Sequence, residues 1–385
     1  MHWLITFYLT HHQHPNDPAT CGNYLMRFRW DLLQCCFPST SPDTFQKRSN
    51  LKWPIFSYKE IRKATNNFDQ SRHLGNGKRK GFINQYYGTL EDGREITIQR
   101  FTEDKRYILQ QFINETVILN YLPHKNIVSI YGCTSHHDEH LLVHEYLSNG
   151  NLAAHFHVEK DINIFFPKLP WLKRLDIAID IANALAYLHY YGIIHRNVKS
   201  SNILLDVNFS AKLGNLHLSC KLPDGVPVDT THVTSDRVGS SGYIDPEYLT
   251  KGQLSVKIDV YSFGVVLCEL LSSKLSIYHI INEEDNLGTL LSRKIENKTL
   301  VELFDPKLRV QSNLNIKQMT AMAELAVLCM KCPQESRPNM EQVLEILNEM
   351  KQGRYVTNFH STKGTISKPY YIPFPLSWFS GFYMF

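Results

Sequence analysis

The residues best placed to do chemistry in this chain of 385 residues lie between Gly192 and Asp206. The stretch reads Gly-Ile-Ile-His-Arg-Asn-Val-Lys-Ser-Ser-Asn-Ile-Leu-Leu-Asp and gathers His195, Arg196, Asn197, Lys199 and Asn202. A carboxamide such as that of Asn197 orients a hydroxyl group by hydrogen bonding but does not accept its proton at neutral pH. Upstream, Leu74-Gly75-Asn76-Gly77 opens a glycine loop, and backbone amides in such loops can close over phosphates. The basic run Lys78-Arg79-Lys80 that follows is of a kind usually solvated. Cys329-x-x-Cys332 has the spacing of a metal or redox pair. No second pair or histidine cluster accompanies it, so buried helix cysteines are expected there.

Two sets of elements must position these residues. From Leu74 to His144 the sequence suits a small strand-rich lobe. Gln85-Tyr86-Tyr87-Gly88 reads as a strand, Glu91-Asp92-Gly93 as a hairpin turn and Ile96-Thr97-Ile98-Gln99 as the next strand. A helix is expected from Arg106 to Leu122, then strands near Ile127–Tyr131 and Leu141–His144. Before this lobe, Ser57 and Glu60 fit a capping box that starts a short helix running through Ala64. After Glu145-Tyr146-Leu147-Ser148-Asn149-Gly150, a turn-rich connector, the chain becomes helical. Leu175, Ile179, Ala182, Leu185 and Leu188 recur at helical intervals between Trp171 and Tyr191, and Gly192 ends the pattern. Val256–Leu271 is apolar on all sides and should be buried; Met319–Met330 and Met340–Met350 are two more helices. The expectation is an α+β fold of two lobes.

The composition sets limits on partners. A hydrophobic content of 43% supports a substantial core, and a net charge of +4 from nearly balanced acids and bases announces no nucleic-acid surface. The eight cysteines follow no framework, which suits reduced, intracellular thiols, and adjacent Cys35 and Cys36 are candidates for reversible lipid. No run approaches the ~20 apolar residues of a spanning helix. Trp3–Thr10 is apolar but short and has no basic region before it, a weak signal-peptide pattern. Residues 1–52, punctuated by prolines, read as a poorly ordered leader, 53–67 as a helix-bearing segment, 68–352 as the folded domain with lobes at 68–147 and 148–352, and 353–385 as a tail.

Residues 68 to about 350 resemble the eukaryotic protein-kinase superfamily. The likeness rests on the glycine loop, Glu115 in Asn-Glu-Thr-Val-Ile-Leu, the Leu-Leu-Val-His-Glu-Tyr hinge, His195-Arg196, Asn202, Asp245-Pro246-Glu247, Asp259-Val260-Tyr261-Ser262-Phe263-Gly264 and Arg337-Pro338, in order. Phe56-Ser57-Tyr58-Lys59-Glu60-Ile61, Ala64-Thr65-Asn66-Asn67-Phe68 and Gly242-Tyr243-Ile244-Asp245-Pro246-Glu247-Tyr248 are similar to plant receptor-like kinases, and Asn149-Gly150-Asn151-Leu152 with Leu300–Pro306 to their leaf-rust-resistance and wall-associated branch.

The resemblance implies a nucleotide site at Gly75, Gly77, Glu145 and Leu147, and a catalytic set that this sequence has altered. Gln99 stands where the family has its phosphate-pairing lysine, which leaves Glu115 without that partner. Asn197 stands for the catalytic aspartate, while Lys199 and Asn202 are retained. Asn215, in Asn215-Leu216-His217, replaces the metal-holding aspartate of Asp-Phe-Gly, so Asn202 and Asn215 would bind a metal weakly or not at all. His217 restricts the backbone where the motif has glycine, Ile83 takes the third glycine's place and Gln85 the place of the valine over adenine. Structural residues implied are Glu247 and Arg337 as a buried ion pair and Asp259 as the brace of the catalytic loop. Thr230, Thr231, Thr234, Ser235, Ser240 and Ser241, which the resemblance puts in the activation segment leading to Asp245-Pro246-Glu247, are candidates for phosphorylation, with Arg196 available to the phosphate. These features imply a catalytically impaired kinase-like scaffold or regulator, a pseudokinase, with weak ATP-dependent serine/threonine kinase activity as the alternative. ATP and Mg²⁺ would bind weakly or not at all. Its partners would be receptor kinases or immune receptors, without nucleic acid, and its place the cytoplasm, with plasma-membrane association left open.

Overall fold

The computed structural model describes residues 56–354 apart from 75–82, 103–105, 137–138, 157–168, 223–226, 229, 275, 281–282 and 309–312. The expected leader, the tail beyond Arg354, and Gly75 and Gly77 of the glycine loop therefore lie outside the described residues.

Strand alternation sets the two faces of the smaller lobe. Helix α1 (Tyr58–Ala64) precedes strands β1 (Ile83–Thr89) and β2 (Glu95–Phe101), helix α2 (Arg106–Tyr121), and strands β3 (Ile130–His136) and β4 (Glu139–Glu145). The four strands form one antiparallel sheet in the order β1-β2-β4-β3. Ile96, Ile98, Leu141 and Val143 point to one face, where Phe56, Ile61 and Ala64 of the α1 region cover them. Phe101 and Leu142 point to the other, against Ile108, Phe112 and Ile113 of α2. Each such aliphatic side chain contributes about 1.5–3 kcal/mol by leaving water. The Ser57 side chain accepts from the Glu60 N–H and so caps α1.

The larger lobe is built on α4 (Trp171–Tyr190) and α6 (Lys257–Ser272), with α3 (Leu152–Phe156) before them and α5 (Pro246–Lys251) between. Helices α7 (Leu287–Glu296), α8 (Asn313–Cys329) and α9 (Met340–Lys351) complete it. From Ile258 to Ser272 every residue of α6 is buried, as its all-round apolar sequence requires. Gly264 lets α8 close on it, because a Cβ there would stand 2.8–3.0 Å from Met330, Cys329 and the Ala326 carbonyl. Short ribbons carry the loops: β5 (Ile193–Ile194) with β8 (Cys220–Lys221), β6 (Ile203–Leu205) with β7 (Ala211–Leu213), and β9 (His232–Val233) with β10 (Gln253–Leu254). A hairpin of β11 (Ile277–Ile280) and β12 (Glu283–Asn286) had no counterpart in the sequence reading.

One strand begins later than its sequence suggests. The β-branched run at Ile127 does not enter the sheet; Val128 N–H donates to the Leu213 carbonyl, and the Leu213 N–H to that of Asn126, so this run joins the two lobes. The sheet strand starts only at Ile130. Helix α8 starts earlier than expected, at Asn313 rather than Met319.

Candidate functional site

The loop from Ile193 to Leu205 is held from below by one buried carboxylate. Asp259, in the first turn of α6, accepts from the backbone N–H of His195 at 2.7 Å and of Arg196 at 2.9 Å, and from His189 Nε2 at 3.0 Å. Arg196 is left-handed, with φ 65°, a conformation costly for a side-chain-bearing residue. The bonds from Asp259 hold it there. His195 receives the Asn197 N–H on Nδ1 (3.2 Å) and therefore donates from Nε2 to the Gly214 carbonyl (3.1 Å). Burial pushes the His195 pKa down and keeps the ring neutral.

On β2, alternation sends Gln99 inward and Arg100 to the opposite face. Arg100 pairs with Glu139 and stacks over Phe68. Gln99 donates from Nε2 to Glu115 Oε2 on α2 at 2.9 Å, and the Leu216 N–H donates to Oε1 at 3.0 Å. Glu115, without the lysine, keeps a donor from the same position: the neutral amide spans the gap. It supplies a donor but no charge, and the fully buried carboxyl is pushed up to about 7 by desolvation, against both hydrogen bonds.

Three carboxamides then run in series across the cleft and end on the backbone of Asn197. Gln85 on β1 donates from Nε2 to Asn215 Oδ1 (3.2 Å), and Asn215 Nδ2 donates to Asn202 Oδ1 (2.7 Å). Asn202 Nδ2 donates to the backbone carbonyl of Asn197 (2.8 Å). The Asn197 side chain continues the path by accepting from Ser240 Oγ at 2.8 Å, and Ser240 in turn accepts from Lys199 Nζ at 2.8 Å. Burial lowers the pKa of Lys199. Asn197, Lys199, Asn202 and Asn215 are thus brought together, joined by Ser240 of the activation segment. Gln85 was read only as a lost apolar contact; its signal was an amide facing amides.

Asn215 itself carries the left-handed backbone (φ 61°), and Leu216–Leu218 makes a 3-10 turn. His217 is therefore accommodated, because the residue that needs conformational freedom is the one two places earlier. Burial pushes the His217 ring down to about 3, and its Nδ1 lies 3.8 Å from Glu115 Oε2, too long for a hydrogen bond. Ile83 opens β1 and packs towards Phe101 and Phe112. At the connector, Glu145 Oε1 accepts from the Ser129 N–H and from Lys212 Nζ, both at 2.7 Å, and Leu147 is buried.

The expected buried pair is present and has a second, closer member: Glu247 Oε2 lies 3.6 Å from Arg337 Nη2. Arg337 takes Asp245 in a bidentate grip, Nη1 to Oδ2 at 2.5 Å and Nη2 to Oδ1 at 3.0 Å. The other carboxylate oxygen of Glu247, Oε1, accepts from Lys251. Asp245, missed from sequence as a partner of Arg337, is the N-cap of α5, and its carboxylate faces the buried guanidinium more closely than that of Glu247 in the helix's first turn. A second buried pair, Arg174 Nη2 to Asp305 Oδ2 at 2.7 Å, joins α4 to the segment after α7 and was missed from sequence.

Of the candidate modification sites, Ser235 and Ser241 are exposed, and Thr234 Oγ1 accepts from the Asp236 N–H at 3.1 Å. Ser240 is engaged as described, and Arg196 already holds the Asp236 carboxylate. Cys329 is fully buried and its thiol is pushed up to about 12 by burial. Among the described residues no group of three or more His, Cys, Asp or Glu could hold a metal ion, and no helix is long and apolar enough to cross a membrane.

Residues 68–347 match the family model described as protein tyrosine and serine/threonine kinase. The chain is 48% identical over 299 residues to leaf rust 10 disease-resistance locus receptor-like protein kinase-like 1.1 of Arabidopsis thaliana, covering 77% of this chain and 46% of that protein. It is 39% identical over 304 residues to wall-associated receptor kinase-like 10 of the same plant, covering 77% and 38%. The chain spans less than half the length of these relatives.

Proposed function

The chain belongs to the protein tyrosine and serine/threonine kinase family, and from that membership we propose that it is a pseudokinase: a receptor-like kinase domain that does not transfer phosphate and serves as a scaffold or regulator of partner receptor kinases or immune receptors. The observation that carries the reading is the series of amides from Gln85 through Asn215 and Asn202 to Asn197. Phosphoryl transfer asks a protein for a cation on the phosphates, carboxylates on Mg²⁺ and a base for the hydroxyl. Here each of these positions is a neutral amide.

The residues present do not fit a magnesium ion. Asn202 Oδ1 and Asn215 Oδ1 each accept an N–H from a neighbouring amide, and a hard dication takes carboxylate oxygen in preference to amide oxygen. Loss of the general base alone costs ~10²–10⁴-fold in rate. The amides are satisfied by one another, by Glu115 and by Ser240, so the fold is spared the cost of unpaired buried polar groups. Buried charge is kept at Asp259 and at Arg337–Asp245, which hold backbone. That contrast supports a surface retained for protein partners.

The alternative, weak serine/threonine kinase activity, is favoured by the retained Lys199 and Asn202 and by the relatives' names as protein kinases. Thermal melting with millimolar ATP, with and without Mg²⁺, tests the first reading. No metal-dependent rise in melting temperature is expected; a rise that needs Mg²⁺ and disappears in Asn202→Ala would favour the alternative.

A further inference from the structure

Arg196 is a nearly buried cation on the rim of the activation segment. Its side chain is 9% exposed, and its Nε has no hydrogen-bond partner among the described residues. Its Nη2 faces three acceptors: Asp236 Oδ2 at 2.9 Å, the Asp236 carbonyl at 3.1 Å and Tyr248 Oη at 3.3 Å. Tyr248, buried on α5, closes the cluster. Its hydroxyl donates to the Asp236 carbonyl at 2.9 Å and accepts the Val238 N–H at 3.0 Å. The guanidinium and the phenol thus grip residues 236 to 238 from beneath.

Segments of this kind become ordered when a phosphoryl group is added opposite an arginine, because the new charge-assisted bonds offset the entropy of fixing a loop. In this chain the anion opposite the arginine is part of the sequence. We propose that Arg196 and Tyr248 form an anion site whose ligand is the chain's own Asp236 carboxylate, so that the activation segment is held in its ordered form without phosphorylation.

Two neighbouring features agree with a segment already fixed. Before the grip, β9 pairs with β10, and the Thr234 N–H donates to the Gly252 carbonyl at 2.9 Å. Gly252 is left-handed (φ 70°), and a Cβ there would lie 2.4 Å from the Thr234 carbonyl oxygen, so the turn is built to receive this strand. After the grip, Ser240 is bonded to Asn197 and Lys199. Asp236 itself remains 67% exposed, so its Coulomb attraction is screened and the clamp relies on the carboxylate and the two carbonyl bonds together. Ser235 and Thr234 stand beside it, and their modification is not needed for order. The assignment stands whether or not the cleft transfers phosphate.

Arg237 supplies the probe, being an exposed trypsin site within the gripped stretch. Phosphatase-treated full chain is digested with trypsin under native conditions, and cleavage after Arg237 is timed by mass spectrometry. Wild-type chain should be protected to the same extent before and after phosphatase. Asp236→Asn and Asp236→Ala should be cut about three- to tenfold faster, the loss of one partly screened charge-assisted bond. Asp236→Glu should restore protection, and Ser235→Ala should leave it unchanged. Melting temperatures of all variants, taken in parallel, separate local opening from global unfolding. Equal cleavage of wild type, Asp236→Asn and Asp236→Ala overturns the proposal, as does protection in wild type that phosphatase abolishes.

Discussion

Two regions of the molecule treat buried charge in opposite ways. Under the catalytic-like loop and behind the activation segment, the chain keeps it: Asp259 on two backbone amides, Arg337 on Asp245, Arg174 on Asp305. In the cleft above, Gln85, Gln99, Asn197 and Asn215 are neutral amides, bonded among themselves, to Glu115 and, through Ser240, to Lys199. Charge pairs hold the backbone, whereas four of the cleft positions carry amides. The contrast separates what the architecture requires from what the reaction requires.

The contrast can be broken most forcefully from the scaffold side. Arg337→Ala leaves Asp245 buried and unpaired and should cost about 3–5 kcal/mol in chemical denaturation. In the cleft, the largest effect should come through pH. Glu115 has a carboxyl raised from 4.5 to about 7 by burial, so the folded state binds more protons than the unfolded state between those values. The stability linked to Glu115 is therefore full below the unfolded pKa and is lost as pH rises through about 7. The loss is of order 3 kcal/mol. Denaturation curves of wild type and Glu115→Gln between pH 4 and 8 should converge at low pH and separate at high pH, with wild type falling.

A smaller effect sharpens the metal question. Asn215→Asp sets a carboxylate against the Asn202 Oδ1 that now accepts the amide, at 2.7 Å. Without metal the variant should lose about 1–3 kcal/mol. Mg²⁺ should raise its melting temperature and leave that of wild type unchanged. The smallest effect concerns the longer arm of the Arg337 cluster: with its carboxylate 3.6 Å from Arg337, Glu247→Gln should cost about 1 kcal/mol or less, and Asp245→Asn clearly more in the same denaturation series.

Much of the architecture was legible in the sequence because it depends on period. The run from Trp171 to Tyr190 and the all-apolar α6 announce themselves by spacing and length, and both helices lie where expected. Boundaries were less legible where one run serves two partners, as Ile127 and Val128 do in reaching Leu213 before the sheet begins. The cleft substitutions were visible letter by letter, but their bonding was not. Gln99 was read as a missing cation, although an amide can still donate to a carboxylate. Gln85 stands 130 residues from Asn215, and no local pattern records that contact. The addition of Asp245 to the Glu247–Arg337 pair depends on a helix cap's geometry, and the hold of Asp236 on Arg196 on how a 40-residue separation closes in space.

The central claim is most directly tested by measuring phosphate transfer from radiolabelled ATP with Mg²⁺, using wild type and the triple variant Gln99→Lys, Asn197→Asp, Asn215→Asp side by side. Wild type should show no label above background, while the triple variant, with its cation, base and metal-holding carboxylate returned to an intact scaffold, should gain it. Label on wild type that requires Mg²⁺ and is abolished by Asn202→Ala would contradict the account.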